Sequence, residues 1–149
     1  MQSSSPLVDD LAELIVTLGS LAAPRRGLSR TAAATLTRLQ RSGPTRVTEL
    51  ATAEGVTQPS MSTLVARLVD QGLVSRGGDP QDARVVVLDL TPAGEDLLAQ
   101  RRADRAERLT RALAGLPPED MARITDAVPA LTRLADALRR SATPPEVNR

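Results

Sequence analysis

The chain has no cysteine, no histidine and no phenylalanine, tyrosine or tryptophan. It also has no lysine, since all 19 of its cationic side chains are arginine. Each absence removes chemistry. Without cysteine there is no disulfide, no thiol nucleophile and no thiol redox switch. Without histidine there is no imidazole base, no side chain that ordinarily titrates near neutrality, and none of the commonest metal ligand. Without lysine no side chain can form a Schiff base. Only Ser, Thr, Asp, Glu and Arg remain for catalysis, and no two carboxylates fall in a pattern that marks a catalytic pair. An enzyme is not expected. Carboxylates alone make a poor zinc site, so neither a metal nor another cofactor is expected. No apolar run approaches the roughly 20 residues of a membrane span. The N-terminus shows no signal-peptide pattern. A cytoplasmic protein with no membrane partner is the expectation.

What is present is ordinary globular material. The 149 residues are 41% hydrophobic and 25% charged, which suits one domain. The formal net charge of +1 is unevenly divided. Residues 25–88 hold nine arginines against five acids, a balance of +4, and the remainder is −3. A basic middle between acidic flanks suits a nucleic-acid face on an otherwise neutral body.

Apolar residues at Leu7, Leu11, Leu14, Ile15, Leu18 and Leu21 mark one stripe of a helix, weakened at Gly19-Ser20 and ended by Pro24 to Gly27. Ser29 is a good cap for a second helix that Ser42-Gly43-Pro44 stops. Two short helices are expected at 48–54 and 58–71, with Gly55 between them and Gly72 closing the second. Strands are expected at 73–76 and 84–90, around a turn-forming stretch from Gly77 to Ala83. Thr91 caps a long charged helix whose first turn holds Pro92. After a break at 115–118 a last helix runs to about Arg140, with a kink expected at Pro129 and a loose tail at 141–149. The fold class is mainly α with a small β-hairpin wing.

The functional pattern lies between Val47 and Val74. Leu50 and Ala51 face inward on the first short helix, Gly55 makes the turn, and Thr57 caps the second. There Met61, Val65, Leu68 and Val69 form the inner stripe, leaving Gln58, Pro59, Ser60, Ser62, Thr63 and Arg67 outside it. Small hydroxyl side chains let a helix approach base edges closely. Gln can pair with adenine, and Arg with guanine or phosphate. The helix N-terminus offers free N–H groups to a phosphate. Two core helices with a solvated Ser/Thr side would give the same pattern. On the wing, Arg84 could enter a narrow minor groove, aimed by a bidentate pair with Asp82. A plain surface ion pair is the other reading.

In order and spacing these pieces resemble the MarR family of winged helix-turn-helix regulators. The resemblance rests on Leu-Ser-Arg-Thr at 28–31, Glu-Leu-Ala at 49–51, Val-Thr-Gln-Pro-Ser at 56–60 and Leu-Val-Ala-Arg-Leu-Val-Asp-Gln-Gly-Leu-Val at 64–74. It continues in Asp-Pro-Gln-Asp-Ala-Arg at 79–84 and Leu-Thr-Pro-Ala-Gly at 90–94. It implies a winged helix-turn-helix lobe at about 28–94, flanked by dimerisation helices at about 7–22 and 95–140. The implied partners are double-stranded DNA, at a pseudo-palindromic operator, and a second copy of the chain. Repression is the implied role. Gln58, Pro59, Ser60, Ser62, Thr63 and Arg67 would lie in the major groove, with Arg84 as the wing arginine and Asp82 its partner. Ala83 stands where family wings often carry a second basic residue. Many members bind a phenolic effector, so the resemblance implies room for a small-molecule effector of unknown identity, for which this chain offers no aromatic side chain to stack on and only Arg, Ser, Thr, Gln and acids to fix a polar end.

Dimerisation has support of its own. Met121, Ile124, Val128, Leu131, Leu134 and Leu138 repeat at three-and-four spacing, a seam suited to helix packing. The alternative function is a winged-helix module that binds protein and not DNA.

Overall fold

A computed structural model of the chain describes residues 5–22, 27–78 and 86–142. Within them lie helices α1 (Pro6–Ala22), α2 (Arg30–Ser42), α3 (Val47–Ala53) and α4 (Gln58–Asp70), then strands β1 (Val74–Gly78) and β2 (Val86–Leu90), then α5 (Pro92–Leu113) and α6 (Pro118–Ala142). The fold is mainly α with one antiparallel hairpin, as the sequence implies. Asp82, Arg84 and the rest of 79–85, the segment 23–26 and the tail from 143 lie outside the described residues. The chain divides into two compact units, Met1–Arg108 and Leu109–Arg149.

The first unit is built on α2, α3, α4 and the hairpin. Leu36 and Leu39, Leu50, Met61 and Leu68, and Leu88 are each no more than 1% exposed, so these elements share one core. With no aromatic ring to fill space, that core is close-packed from Leu, Val, Met and Ala. Thr35 is also fully buried, and its hydroxyl donates to Met61 Sδ at 3.9 Å, a weak bond to a weak acceptor. An ion pair missed in the sequence, Arg38 Nε to Glu54 Oε1 at 3.1 Å, ties α2 to the end of α3. Arg102 likewise donates to Gln40 Oε1 at 2.8 Å, joining α5 to α2.

The helix starts follow their caps. Ser29 Oγ accepts the Ala32 N–H at 3.1 Å, and Thr57 Oγ1 accepts that of Ser60 at 3.4 Å. Between α3 and α4 the chain turns at Gly55, whose φ of +64° is left-handed. There the Val56 N–H reaches back to the Ala51 carbonyl at 3.0 Å, closing the helix end. Some boundaries differ from the sequence reading. β1 takes in Gly77 and Gly78, which pair with Val87 and Val86 where a loop was expected. α1 ends at Ala22, where the sequence places its end, and Ser20 Oγ donates back to the Thr17 carbonyl at 2.8 Å within its last turn.

Two long-range ties fix the hairpin. Thr45, in the loop before α3, exchanges backbone hydrogen bonds with Leu88 at 3.0 and 2.9 Å, so β2 is paired on both edges at that point. On the other side Thr91 makes three bonds at once. Its N–H donates to the Leu73 carbonyl at 3.1 Å and its hydroxyl to the Gly72 carbonyl at 2.6 Å. The same oxygen accepts the Gly94 N–H at 3.1 Å, capping α5. Thr91→Ala removes the cap and one tie between hairpin and α4. It should lower unfolding free energy by about 1–2 kcal/mol in a urea titration, while Thr91→Ser should recover most of that loss.

In the second unit α6 runs unbroken from Pro118 to Ala142 with Pro129 inside it. The proline N–H is missing there, yet the helix is not ended. Ile124, Val128, Leu131, Leu134 and Leu138 are all exposed. In the first unit, Leu7, Leu14, Ile15 and Leu18 of α1 are exposed as well. No helix among the described residues is long and apolar enough to cross a membrane.

Candidate nucleic-acid interface

α4 is two-faced. Met61, Val65 and Leu68, spaced by four and three, are 0–1% exposed and point into the core. All six side chains assigned to this helix from the sequence, Gln58, Pro59, Ser60, Ser62, Thr63 and Arg67, are exposed. At 100° per residue, Pro59, Thr63 and Arg67 run down the middle of the outer face, one turn apart. Ser60 lies on one flank and Ser62 on the other, with Gln58 at the first turn. Ala66 adds no bulk to the outer face, and Asp70 puts an acid at its far end. The only charged side chains of α4, Arg67 and Asp70, both lie towards its C-terminal end, and its N-terminal part is polar and uncharged.

The hydroxyls are not idle. Thr57 Oγ1 donates to Ser60 Oγ at 2.9 Å, and Thr63 Oγ1 donates to the Pro59 carbonyl at 3.0 Å. The supply of free N–H groups at this end is smaller than the sequence suggested. Pro59 has none, Ser60 gives its own to Thr57, and Met61 gives its own to the Thr57 carbonyl at 3.0 Å. The Gln58 N–H is what the first turn still offers, so any grip on phosphate falls mainly to side chains.

The hairpin adds a cation that sequence reasoning passed over. Arg76 is exposed on β1, opposite Leu88 in the pairing. Its signal was an arginine two residues into a strand whose neighbour Val74 is buried. The wing residues Asp82 and Arg84 lie outside the described residues, so their approach to each other is not on view.

The MarR family model matches residues 28–86, from the residue before the α2 cap to the start of β2. An uncharacterized HTH-type transcriptional regulator of Mycobacterium bovis is 31% identical over 119 residues, which span 78% of this chain and 83% of the relative. The chain belongs to the MarR family. This is a family of DNA-binding transcriptional regulators. A putative transcriptional regulator of Pseudomonas aeruginosa, solved by crystallography, matches with 29% identity and a TM-score of 0.74, covering 87% of this chain and 93% of that one. The MarR fold also recurs at greater distance in an S. aureus MepR mutant bound to an oligodeoxyribonucleotide. That chain is 20% identical, with a TM-score of 0.63 and coverage of 93% and 99%. The winged helix-turn-helix described above is thus this chain's version of a shared MarR scaffold.

Proposed function

We propose that the protein is a homodimeric transcriptional regulator that binds a pseudo-palindromic operator and represses from it, without catalysis of its own. The observation that carries this reading is the division of α4. An inner stripe no more than 1% exposed fixes the helix, and a continuous outer face of Gln58, Pro59, Ser60, Ser62, Thr63 and Arg67 stands clear of the core. That face enters the major groove. Arg84 reaches the adjacent minor groove, held in aim by Asp82, and Arg76 adds charge on the hairpin. The exposed apolar stripe of α1 and, separately, that of α6 with the end of α5 are each offered to a second copy. Association then sets the two α4 helices about one DNA turn, ~34 Å, apart. A solved MepR mutant on an oligodeoxyribonucleotide shows that a chain of this fold can be seated on DNA. Such a protein works in the cytoplasm.

Fluorescence anisotropy with the purified protein, against duplexes selected from a random library, tests the reading. Binding should weaken steeply between low and moderate salt, because arginine contacts to phosphate release counterions. Arg84→Ala should cost about 1–3 kcal/mol of operator affinity. A protein that binds no duplex even at low ionic strength would leave the winged lobe as a protein-interaction module.

A further inference from the structure

Glu54 stands where a carboxylate is least favoured. It caps the C-terminal end of α3, beside carbonyls that already carry partial negative charge, and its side chain is only 14% exposed. The Gly55 turn follows at once, and Thr57, the cap of α4, is three residues on. Three residues of chain span at most about 10 Å, close to the screening length of a charge at 0.1 M salt. Between Leu50 and Ala66 no other side chain is charged, so Glu54 is the one charge this stretch brings to the first turns of α4. Left unpaired, it would repel a polyanion there. Its partner comes from another helix. Arg38 of α2 donates through Nε to Glu54 Oε1 at 3.1 Å and, at 42% exposed, is the outer member of the pair.

We propose that Arg38 is a positioning residue for DNA binding that acts through Glu54. By pairing with it, Arg38 keeps the entrance to α4 free of net negative charge, without touching the duplex itself. The inference rests on the reading of α4 as the DNA-facing helix. Three roles for Arg38 give three different orders of affinity. If Arg38 gripped a phosphate directly, every variant lacking it would be weak. If the pair were only a structural tie between α2 and α3, every variant that breaks it would be weak, Glu54→Gln included. Charge cancellation alone lets the double variant recover and lets Glu54→Gln bind more tightly than the wild type.

The test measures affinity by fluorescence anisotropy over a range of salt concentrations, with the full chain and the duplex selected by the wild-type protein. Circular dichroism fixes a temperature at which every variant is folded. A unit charge 10 Å from a phosphate in water changes affinity about twofold, and a few phosphates lie within reach of a docked helix N-terminus. Arg38→Gln should therefore lose about threefold to tenfold at low salt, with a shallower dependence on salt. Glu54→Gln should gain by a similar factor. The double variant, Arg38→Gln with Glu54→Gln, should return to within about twofold of wild type. Arg123→Gln is the control, since it breaks the exposed pair with Asp120 on α6 and makes the same change in net charge. It should leave affinity unchanged, and a loss there equal to that of Arg38→Gln overturns the local effect. A double variant as weak as Arg38→Gln overturns the proposal, and so does an Arg38→Gln protein that binds like wild type. Failure of the wild-type chain to bind any duplex is distinguishable from these, and it removes the underlying reading of α4 as well.

Discussion

Gly94→Ala should be among the most damaging single substitutions in the chain, costing about 3 kcal/mol of stability. Helix propensity points the other way. Gly94 occupies the third position of α5, where exchanging glycine for alanine ordinarily gains close to 1 kcal/mol, and its φ is not left-handed. Space decides the sign. A Cβ built on Gly94 runs into the backbone carbonyl of Leu73 and lies 2.6 Å from Cδ1 of Leu90. The leucine tip can yield, but the carbonyl cannot. It accepts the Thr91 N–H, and its residue closes the end of α4 through the bond from the Leu73 N–H to the Leu68 carbonyl. To admit the methyl, either α5 must lift from the hairpin or the root of β1 must shift. For a domain this size the loss corresponds to roughly 6–12 °C in melting temperature. Gly115→Ala is the control, since its Cβ would sit 3.6 Å from the Ala112 carbonyl, ordinary contact. Equal melting temperatures for the two variants would refute the steric argument.

The largest functional loss should come from a site that touches no DNA. Val128 and Leu131 of α6 are 52% and 47% exposed in the single chain. Replacing both by glutamate therefore empties no core and should leave the circular dichroism of the lobe intact. In the proposed dimer the same pair would place two carboxylates per chain in an apolar interface, and their desolvation opposes association. Sedimentation velocity at micromolar concentration should show the wild type as the proposed dimer and the double variant as a monomer. Operator affinity should fall on the order of 100-fold or more, because each copy must then engage its half-site alone. A double variant that still sediments as a dimer would move the interface away from α6.

Local chemistry was legible in the sequence, and distant pairing was not. Ser29, Thr57 and Thr91 announced three helix starts, because a side-chain oxygen before an apolar period has few other uses. The inner stripe of α4 followed from spacing alone. Leu-Thr-Pro-Ala-Gly at 90–94 could be quoted as a pattern, but its reason appears only in space: the threonine bonds to Gly72 and Leu73, and the glycine clears the Leu73 carbonyl. Thr45 looked like loop because its pairing partner, Leu88, lies 43 residues on and a one-residue bridge has no periodicity. The Arg38–Glu54 pair was hidden for the same reason. On α4 the residue types could be read from sequence, whereas the contacts that their hydroxyls make within the protein could not. Among the hydroxyls of this stretch the structure shows Thr57 paired with Ser60 and Thr63 bonded to the Pro59 carbonyl, neither of which spacing announces.

The Thr45–Leu88 bridge has a mechanical consequence. Leu88 is held to β1 on one edge and, on the other, to a residue two places ahead of α3, so it acts as the fulcrum of the hairpin. The Thr45–Leu88 bonds give a load on β2 a direct path to the loop ahead of α3, in addition to its path through β1. What the β-finger feels, the helix beside it is made to feel as well.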